Sequence, residues 1–432
     1  MEIVHPRVAG LDVHKKQVTV AVLLPGASPG DRTVQVRQFR TFWRALQQMA
    51  AWLVELGVTD AAMESTGVYW WPVYHALAQT GTIAVCVCNA AHMRNVPGRK
   101  TDIRDSQWIA ELHQHGLLRA SFIPTQATAA LRARTRYRKK LIEQRTAEGQ
   151  RLAKVLEDAG VKIDSVASKL LCVSGRQMIE ALIAGVRDPH VLADLAKGVL
   201  RRKLDELTMA CDGRFTDDHA RMCRLHLDAY DWLTKQIAEL DELVAVAAEP
   251  FSAVIARLTT IPGIGVRTAQ VIVAETGADM SRFHTAGHLA AWAGLAPGNR
   301  ESAGKRMRTG TRKGNTHLAA AMVEAAWATS RTATRPGARM RRLLHRFGKG
   351  NERKAAVAVA HTLLCIAWAV MARDRDYIDA GPDYYDQRAR RNRDHLAKRY
   401  QQALTRLGYQ VTIEPVDTPP PTAPPPPSQA AA

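Results

Sequence analysis

Every β-rich run of this 432-residue chain falls within its first ninety residues, and the segments after about residue 125 read as helix or loop. Residues 8–13 and 18–24 are joined by His14-Lys15-Lys16-Gln17, a plausible hairpin, and a third run covers 33–39. Apolar residues recur at helical spacing from Trp43 to Leu56, and Gly57 ends that helix. A strand closing at Glu64, a helix over about 69–79, a strand over 82–88 and a helix carrying Asp102 and Asp105 to about His115 complete the series. The order βββαβαβα defines an α/β domain over residues 1–124. Residues 125–249 predict a helical, partly coiled-coil spacer, with long amphipathic segments at 131–158 and 230–248. Pro250 opens a mainly helical region over 250–380, and a tail fills 381–432. From about Pro415 the tail is too proline-rich to pack, and disorder is the expectation there.

The net charge is +19, while 46% of residues are apolar. A folded chain with that excess meets nucleic acid or an acidic surface. The excess is concentrated: Arg300–Arg353 holds fourteen Lys or Arg against three acids, and Arg132–Lys154 holds nine against two. Six cysteines without a paired CxxC pattern speak against a structural zinc framework or a disulfide scaffold. No charged-then-apolar leader opens the sequence. The apolar stretch 355–372 is interrupted by His361 and Thr362 and is expected to be a buried helix, so the chain reads as cytoplasmic, with no membrane partner.

Four acids in the first quarter suit metal-dependent phosphoryl chemistry: Asp12, Glu64, Asp102 and Asp105. Asp12 lies inside an apolar strand pattern, where an unpaired charge is costly to bury and metal coordination offsets the cost. Glu64 precedes Ser65-Thr66-Gly67 at a strand end beside a helix start, where α/β proteins place ligand sites. Asp102 and Asp105 are three apart and share a helical face, although Asp102 also suits an N-cap. Carboxylate oxygens suit hard cations such as Mg²⁺, with Mn²⁺ as a substitute, and paired metals suit in-line displacement at phosphorus. The strand order together with these acids specifies a ribonuclease H-like fold.

Two further elements lie downstream. Ile261-Pro262-Gly263-Ile264-Gly265 between helical runs looks like a helix-hairpin-helix turn, in which the backbone at Gly263 and Gly265 can bind a DNA phosphate; a plain interhelical turn is the equal alternative. The loop from Gly294 to Gly310 sets Ser302 among small residues with Arg300, Lys305, Arg306 and Arg308. A hydroxyl there can attack phosphorus while the cations hold the nonbridging oxygens, though such a stretch is more often a simple exposed loop.

The motifs Gly10-Leu11-Asp12-Val13-His14-Lys15, Met63-Glu64-Ser65-Thr66-Gly67-Val68-Tyr69-Trp70 and Lys100-Thr101-Asp102-Ile103-Arg104-Asp105 resemble those of transposases of insertion-sequence family 110. Ile261–Gly265, Gly294-Leu295-Ala296-Pro297, the Ser302 loop and Arg312-Lys313-Gly314-Asn315 resemble the family's second conserved domain, in the same order. The resemblance spans about residues 8–375 and implies a RuvC-like domain, a helical spacer and a C-terminal transposase domain. It implies that Asp12, Glu64, Asp102 and Asp105 ligate Mg²⁺ and that Ser302 attacks DNA to form a covalent phosphoserine. It also implies a structured noncoding guide, the bridge RNA, pairing with donor and target DNA. The active site is then shared between subunits of a homo-oligomer, dimer or tetramer. Glu301 stands where the family often has a further serine. Lys305, Arg306, Arg308, Arg312 and Lys313 are the expected DNA and RNA phosphate contacts. Two alternatives stay open on sequence: a RuvC-like Holliday-junction resolvase or nuclease using metal-activated water, and a non-enzymatic basic nucleic-acid-binding architectural protein.

Overall fold

A computed structural model describes residues 2–26, 31–65, 67–89, 102–298, 301–302, 304–307, 310–311 and 313–412, with the side chains of 102–104, 301–302 and 305–306 excepted. The Pro-rich stretch after Pro415 lies outside them. The chain divides into two compact units, Met1–Pro124 and Thr125–Ala432.

The first unit is mixed α/β. Strands β1 (Val8–Val13), β2 (Gln17–Pro25), β3 (Arg32–Arg40), β4 (Asp60–Glu64) and β5 (Ala84–Cys88) form one sheet in the order β3-β2-β1-β4-β5. The first three pair antiparallel, whereas β4 runs parallel to β1 and β5 parallel to β4. The elements fall within a residue or two of the sequence expectation because each strand is a short apolar run and each helix keeps its period. Helix α1 (Trp43–Glu55) buries Leu46, Met49, Ala50 and Leu53, one stripe spaced three and four residues apart. Together with α2 (Trp70–Ala78) it covers Leu11, Val13, Val20, Val22 and Met63 of the sheet.

Helix α3 (Asp102–Gln114) packs on the sheet through a backbone contact. A Cβ at Gly10 of β1 would stand 2.1 Å from the Ser106 carbonyl oxygen and 2.3 Å from the Ala110 nitrogen of α3. Only a residue without a side chain lets the helix lie this close. Gly10→Ala is therefore expected to push α3 away, costing about 1–3 kcal/mol as overpacking does. The midpoint of urea unfolding checks it; an unchanged midpoint would refute the tight seating.

The second unit is mostly helical. Its spine is α4 (Gln126–Asp158), and α5 (Ile163–Val166), α6 (Val173–Ile183), α7 (Pro189–Asp194) and α8 (Leu204–Cys211) precede the equally long α9 (Asp217–Ala248). Helices α4 and α9 run antiparallel, since Arg138 bonds Asp241 while Glu148 meets His226. Leu233, Ile237, Leu240 and Val244 on α9 are spaced four, three, four, as a coiled-coil seam requires. The small helices close a separate cluster around Leu152, Leu156, Met178, Ile179 and Leu227.

The remaining helices are α10 (Ser252–Thr259), α11 (Val266–Thr276), α12 (Ala286–Trp292), α13 (Thr316–Thr329), α14 (Arg335–Phe347), α15 (Glu352–Arg373) and α16 (Tyr384–Arg406). Leu131, Val244 and Ala248 of the long pair join their core, so the expected boundary at Pro250 is not a break in packing. Helix α15 is long and apolar enough to cross a membrane by composition. It instead buries Ala355, Val359, Leu363, Leu364 and Ala367 in this core. Helix α16 lies in the segment read from sequence as tail. It has no buried residue, and Arg335 and Arg342 of α14 stack over its Tyr384 and Tyr385.

Candidate functional site

In the first unit, Leu11 of β1 pairs with Met63 of β4, and one residue further on Asp12 and Glu64 stand at the ends of the same two central strands. Alternate residues share a face of a sheet, so Asp12 lies on the face of Gly10, against which α3 is seated. Glu64 shares that face through Ala62, the partner of Gly10. Helix α3 begins at Asp102, and Asp105 precedes the Ser106 that touches Gly10. Strand ends and helix start thus bring Asp12, Glu64 and Asp105 to one face at one end of the sheet. The Asp102 side chain lies outside the described residues. His14 Nε2 lies 2.9 Å from Asp12 Oδ2, a partner that only the hairpin register makes visible. Among the described residues the three carboxylates do not close on a single point; the ligand atoms that lie within 4.8 Å of one another belong to His5, Asp60 and His113. A sheet-end face of oxygen donors fits a hard divalent cation.

In the second unit, the serine loop is a β-hairpin. Strands β6 (Glu301–Ser302) and β7 (Lys305–Arg306) pair antiparallel, with Glu301 opposite Arg306 and Ser302 opposite Lys305. Gly304 in the two-residue turn has φ +74°, a left-handed conformation that favours glycine. Lower down, Pro297 bridges Thr311 and the Gly298 N–H donates to the Gly310 carbonyl. At the root a Cβ on Gly314 would fall 2.2 Å from the Gly294 nitrogen, so two backbones cross in contact. Ser302 is therefore carried at the tip of a two-stranded arm, where sequence suggested an open loop. Arg308 and Arg312 lie outside the described residues, as do the side chains of Ser302, Lys305 and Arg306; Lys313 is exposed just above the root.

The Ile261–Gly265 turn joins α10 to α11, and its two glycines have different demands. Gly263 has φ +88°, and a Cβ there would meet Thr329 Cγ2 at 2.5 Å and the Ala325 carbonyl at 2.6 Å, so this glycine seats the turn on α13. Gly265 has open space around it and precedes α11 without a side-chain cap. The free N–H groups there are the part of the turn that can face an anion.

Helix α11 ends in a charged knot that sequence reasoning missed. Glu275, with 0% exposure, accepts two hydrogen bonds from Arg136 at 2.8 Å each and one from Asn315 Nδ2 at 2.6 Å. Arg132 caps the same helix through the Ala274 and Glu275 carbonyls. Burial alone would raise the Glu275 carboxyl, but these hydrogen bonds and the Arg136 and Arg132 charges outweigh it and hold it below the usual range. Asn315 also caps α13 through the Leu318 N–H. The available signal was one acid closing the apolar run Val271-Ile272-Val273-Ala274, and a basic run with no partner in view.

Charge pairing separates two cavities in this unit. The first, about 610 Å³, is lined by Arg136, Arg138, Lys139 and Arg267. Each of these already meets a carboxylate: Glu275, Asp241, Glu324 and Asp241. The second, about 700 Å³, lies at the foot of the serine hairpin, lined by Pro297, Gly310 and Thr311 with Arg339, Arg353 and Lys354. Among the described residues these three cations form no ion pair with an acid, and no acid lines the cavity. Its positive charge is available to a ligand.

Sequence comparisons relate this chain, an α/β unit followed by a mostly helical one, to known transposases. Residues 9–160 match the DEDD transposase family of IS110, and residues 255–347 match the transposase family IS116/IS110/IS902. A probable family 20 transposase of Pseudomonas aeruginosa is 26% identical over 285 residues, 65% of this chain and 75% of its own. The transposase for insertion sequence element IS1111A of Coxiella burnetii is 25% identical over 287 residues, 65% of this chain and 69% of its own. A 43.6 kDa protein of insertion element IS110 from Streptomyces coelicolor is 51% identical over 55 residues, 13% of each chain. The chain belongs to the IS110-family transposases. Its substrate is DNA, its activity DNA recombination, and its DEDD domain calls for a divalent metal.

Proposed function

We propose that this transposase cuts and rejoins DNA through Ser302, with Asp12, Glu64, Asp102 and Asp105 holding Mg²⁺ in a ribonuclease H-like, RuvC-like domain. The observation that carries the serine is its place at the tip of a rooted hairpin above a cavity whose three cations pair with no acid among the described residues. Carboxylates at the ends of adjacent parallel strands, on the face that seats α3, support the metal site. When bound, the metal polarises the phosphate and favours ionisation of the attacking hydroxyl. Ser302 Oγ attacks phosphorus, its proton departs, and the bond from phosphorus to one sugar oxygen breaks as that oxygen takes up a proton. The phosphate is then joined to the serine. A sugar hydroxyl of the partner strand reverses the step, losing its proton as Ser302 regains one, so the phosphodiester count is conserved.

Arg339, Arg353 and Lys354, with Lys305, Arg306, Arg308, Arg312 and Lys313, neutralise backbone phosphates, and the open turn at Gly263–Gly265 binds one more. In line with the family it resembles, a bridge RNA selects donor and target DNA, and a cytoplasmic homo-oligomer supplies the serine and the carboxylates from different subunits. The long basic α4 then offers RNA a phosphate-binding face.

The test is to incubate protein, its co-expressed RNA, Mg²⁺ and donor DNA, denature in detergent and map the retained adduct. A phosphodeoxyribose on the Ser302 peptide is expected. DNA cut without any adduct would favour water as nucleophile, and no cutting in Mg²⁺ would favour an architectural role. Replacing Arg353 and Lys354 together by Ala should lower the slope of log affinity against log salt by about 1–2, one per lost phosphate contact. A slope equal to that of the native protein would remove the cavity from the DNA path.

A further inference from the structure

At the other end of β4 and α3 from the carboxylate face, the first unit holds a second donor cluster. Asp60 opens β4, four residues before Glu64, about 13 Å away at strand rise. His113 lies in the last turn of α3, eight residues after Asp105, about 12 Å along the helix. His5 comes from the segment before β1. We propose that His5, Asp60 and His113 form a transition-metal site, selective for Zn²⁺, that is separate from the carboxylates of the DNA chemistry.

One ligand atom from each residue lies within 4.8 Å of the others. His5 Nδ1 is 3.0 Å from Asp60 Oδ1, and the His5 ring stacks on that of His113 with centroids 4.6 Å apart. His113 is 6% exposed, yet neither ring nitrogen has a hydrogen-bond partner among the described residues. Buried polar atoms are rarely left so, because each costs its desolvation. A bound cation repays that cost for one of the two nitrogens.

The surroundings are built as supports of a metal site are. Thr59 Oγ1 donates to the other Asp60 oxygen at 2.7 Å, orienting the carboxylate. The Val4 and His5 N–H groups both donate to the Gln114 carbonyl, and the Asp60 N–H donates to the Arg7 carbonyl. The N-terminal segment is thus fastened to the end of α3 and the start of β4, the two elements that bear the other donors. Two imidazoles and one carboxylate suit Zn²⁺, with a fourth position for water, and suit Mg²⁺ poorly because it prefers oxygen. Tying three remote segments together, the ion would hold the sheet from the end opposite the reacting DNA.

Full-length protein stripped with a chelator and titrated with Zn²⁺ against a colorimetric zinc indicator should bind one ion per chain at this site. His5→Gln and Asp60→Asn, chosen because neither residue is deeply buried, should each weaken that binding at least 100-fold. Asp12→Asn and Asp105→Asn should leave it unchanged. Co²⁺ in place of Zn²⁺ should show the intense visible bands of a four-coordinate site, absent in His5→Gln. Zn²⁺ should raise the melting temperature of the native protein more than that of either variant, whereas Mg²⁺ should act equally on all three. Equal zinc binding by native protein, His5→Gln and Asp60→Asn would overturn the proposal. So would binding lost only on changing Asp12 or Asp105, which would assign the ion to the carboxylate face.

Discussion

Ser302→Ala is expected to abolish strand exchange and the detergent-resistant protein–DNA adduct, while DNA affinity changes by less than about twofold. Loss of a nucleophile that forms a covalent intermediate lowers turnover by about 10⁶ in a well-studied hydrolase, and a comparable loss is expected here. Affinity is spared on the proposed reading, in which Arg339, Arg353, Lys354 and the other cations contact the phosphates and the substitution leaves them in place. The hairpin is also spared: the Ser302–Lys305 pairing is made by backbone, and the turn depends on Gly304. Gel analysis of the adduct beside filter binding of DNA separates the two effects. Recombination by Ser302→Ala at the native rate would dismiss the serine and leave metal-activated water as the nucleophile.

The second large effect concerns stability. Glu275→Ala should cost about 1–3 kcal/mol, because it removes the counter-charge of the part-exposed Arg136 and the part-buried Arg132 and leaves Asn315 without its acceptor. Glu275→Gln keeps the volume but not the charge, and should lose a large part of the same amount. The carboxyl is held below its unfolded value of about 4.3 by Arg136 and Asn315 against the opposing effect of burial. Its contribution is therefore complete above that pH and lost as pH falls through the lower folded value. Urea unfolding of native protein and variants at pH 7 and pH 3 checks both statements. The gap between native protein and Glu275→Gln should narrow at the acid end; a gap independent of pH would show that the charge is not what matters.

Reading along the sequence recovered most of the first unit. Strands and helices announce themselves there because a buried face imposes a period, as Leu46, Met49, Ala50 and Leu53 do on α1. Asp12 was conspicuous for breaking such a pattern. Partners distant in sequence left no local trace. The seating of α3 on Gly10 depends on two backbones meeting in space, and a glycine in a strand does not say what it is making room for. The Ser302 hairpin escaped for a different reason. Its strand residues Glu301, Ser302, Lys305 and Arg306 are all polar, so no alternation marks them, and its root is a backbone contact between Gly294 and Gly314. Helix α16 was hidden by composition: it buries nothing, and it meets α14 through aromatic rings under guanidinium groups rather than through an apolar stripe. Asp60, His5 and His113 are scattered over more than a hundred residues, and nothing in their spacing connects them.

The rooted hairpin makes the reach of the serine a quantised length. One residue added to each strand would lengthen the arm by about 3.3 Å and turn the hydroxyl to the opposite face. Two added to each would carry it about 6.6 Å further with its orientation preserved. Across related enzymes, hairpins of this kind should differ by even steps per strand, and a chimera with an odd step should fold, bind DNA and present its hydroxyl to solvent.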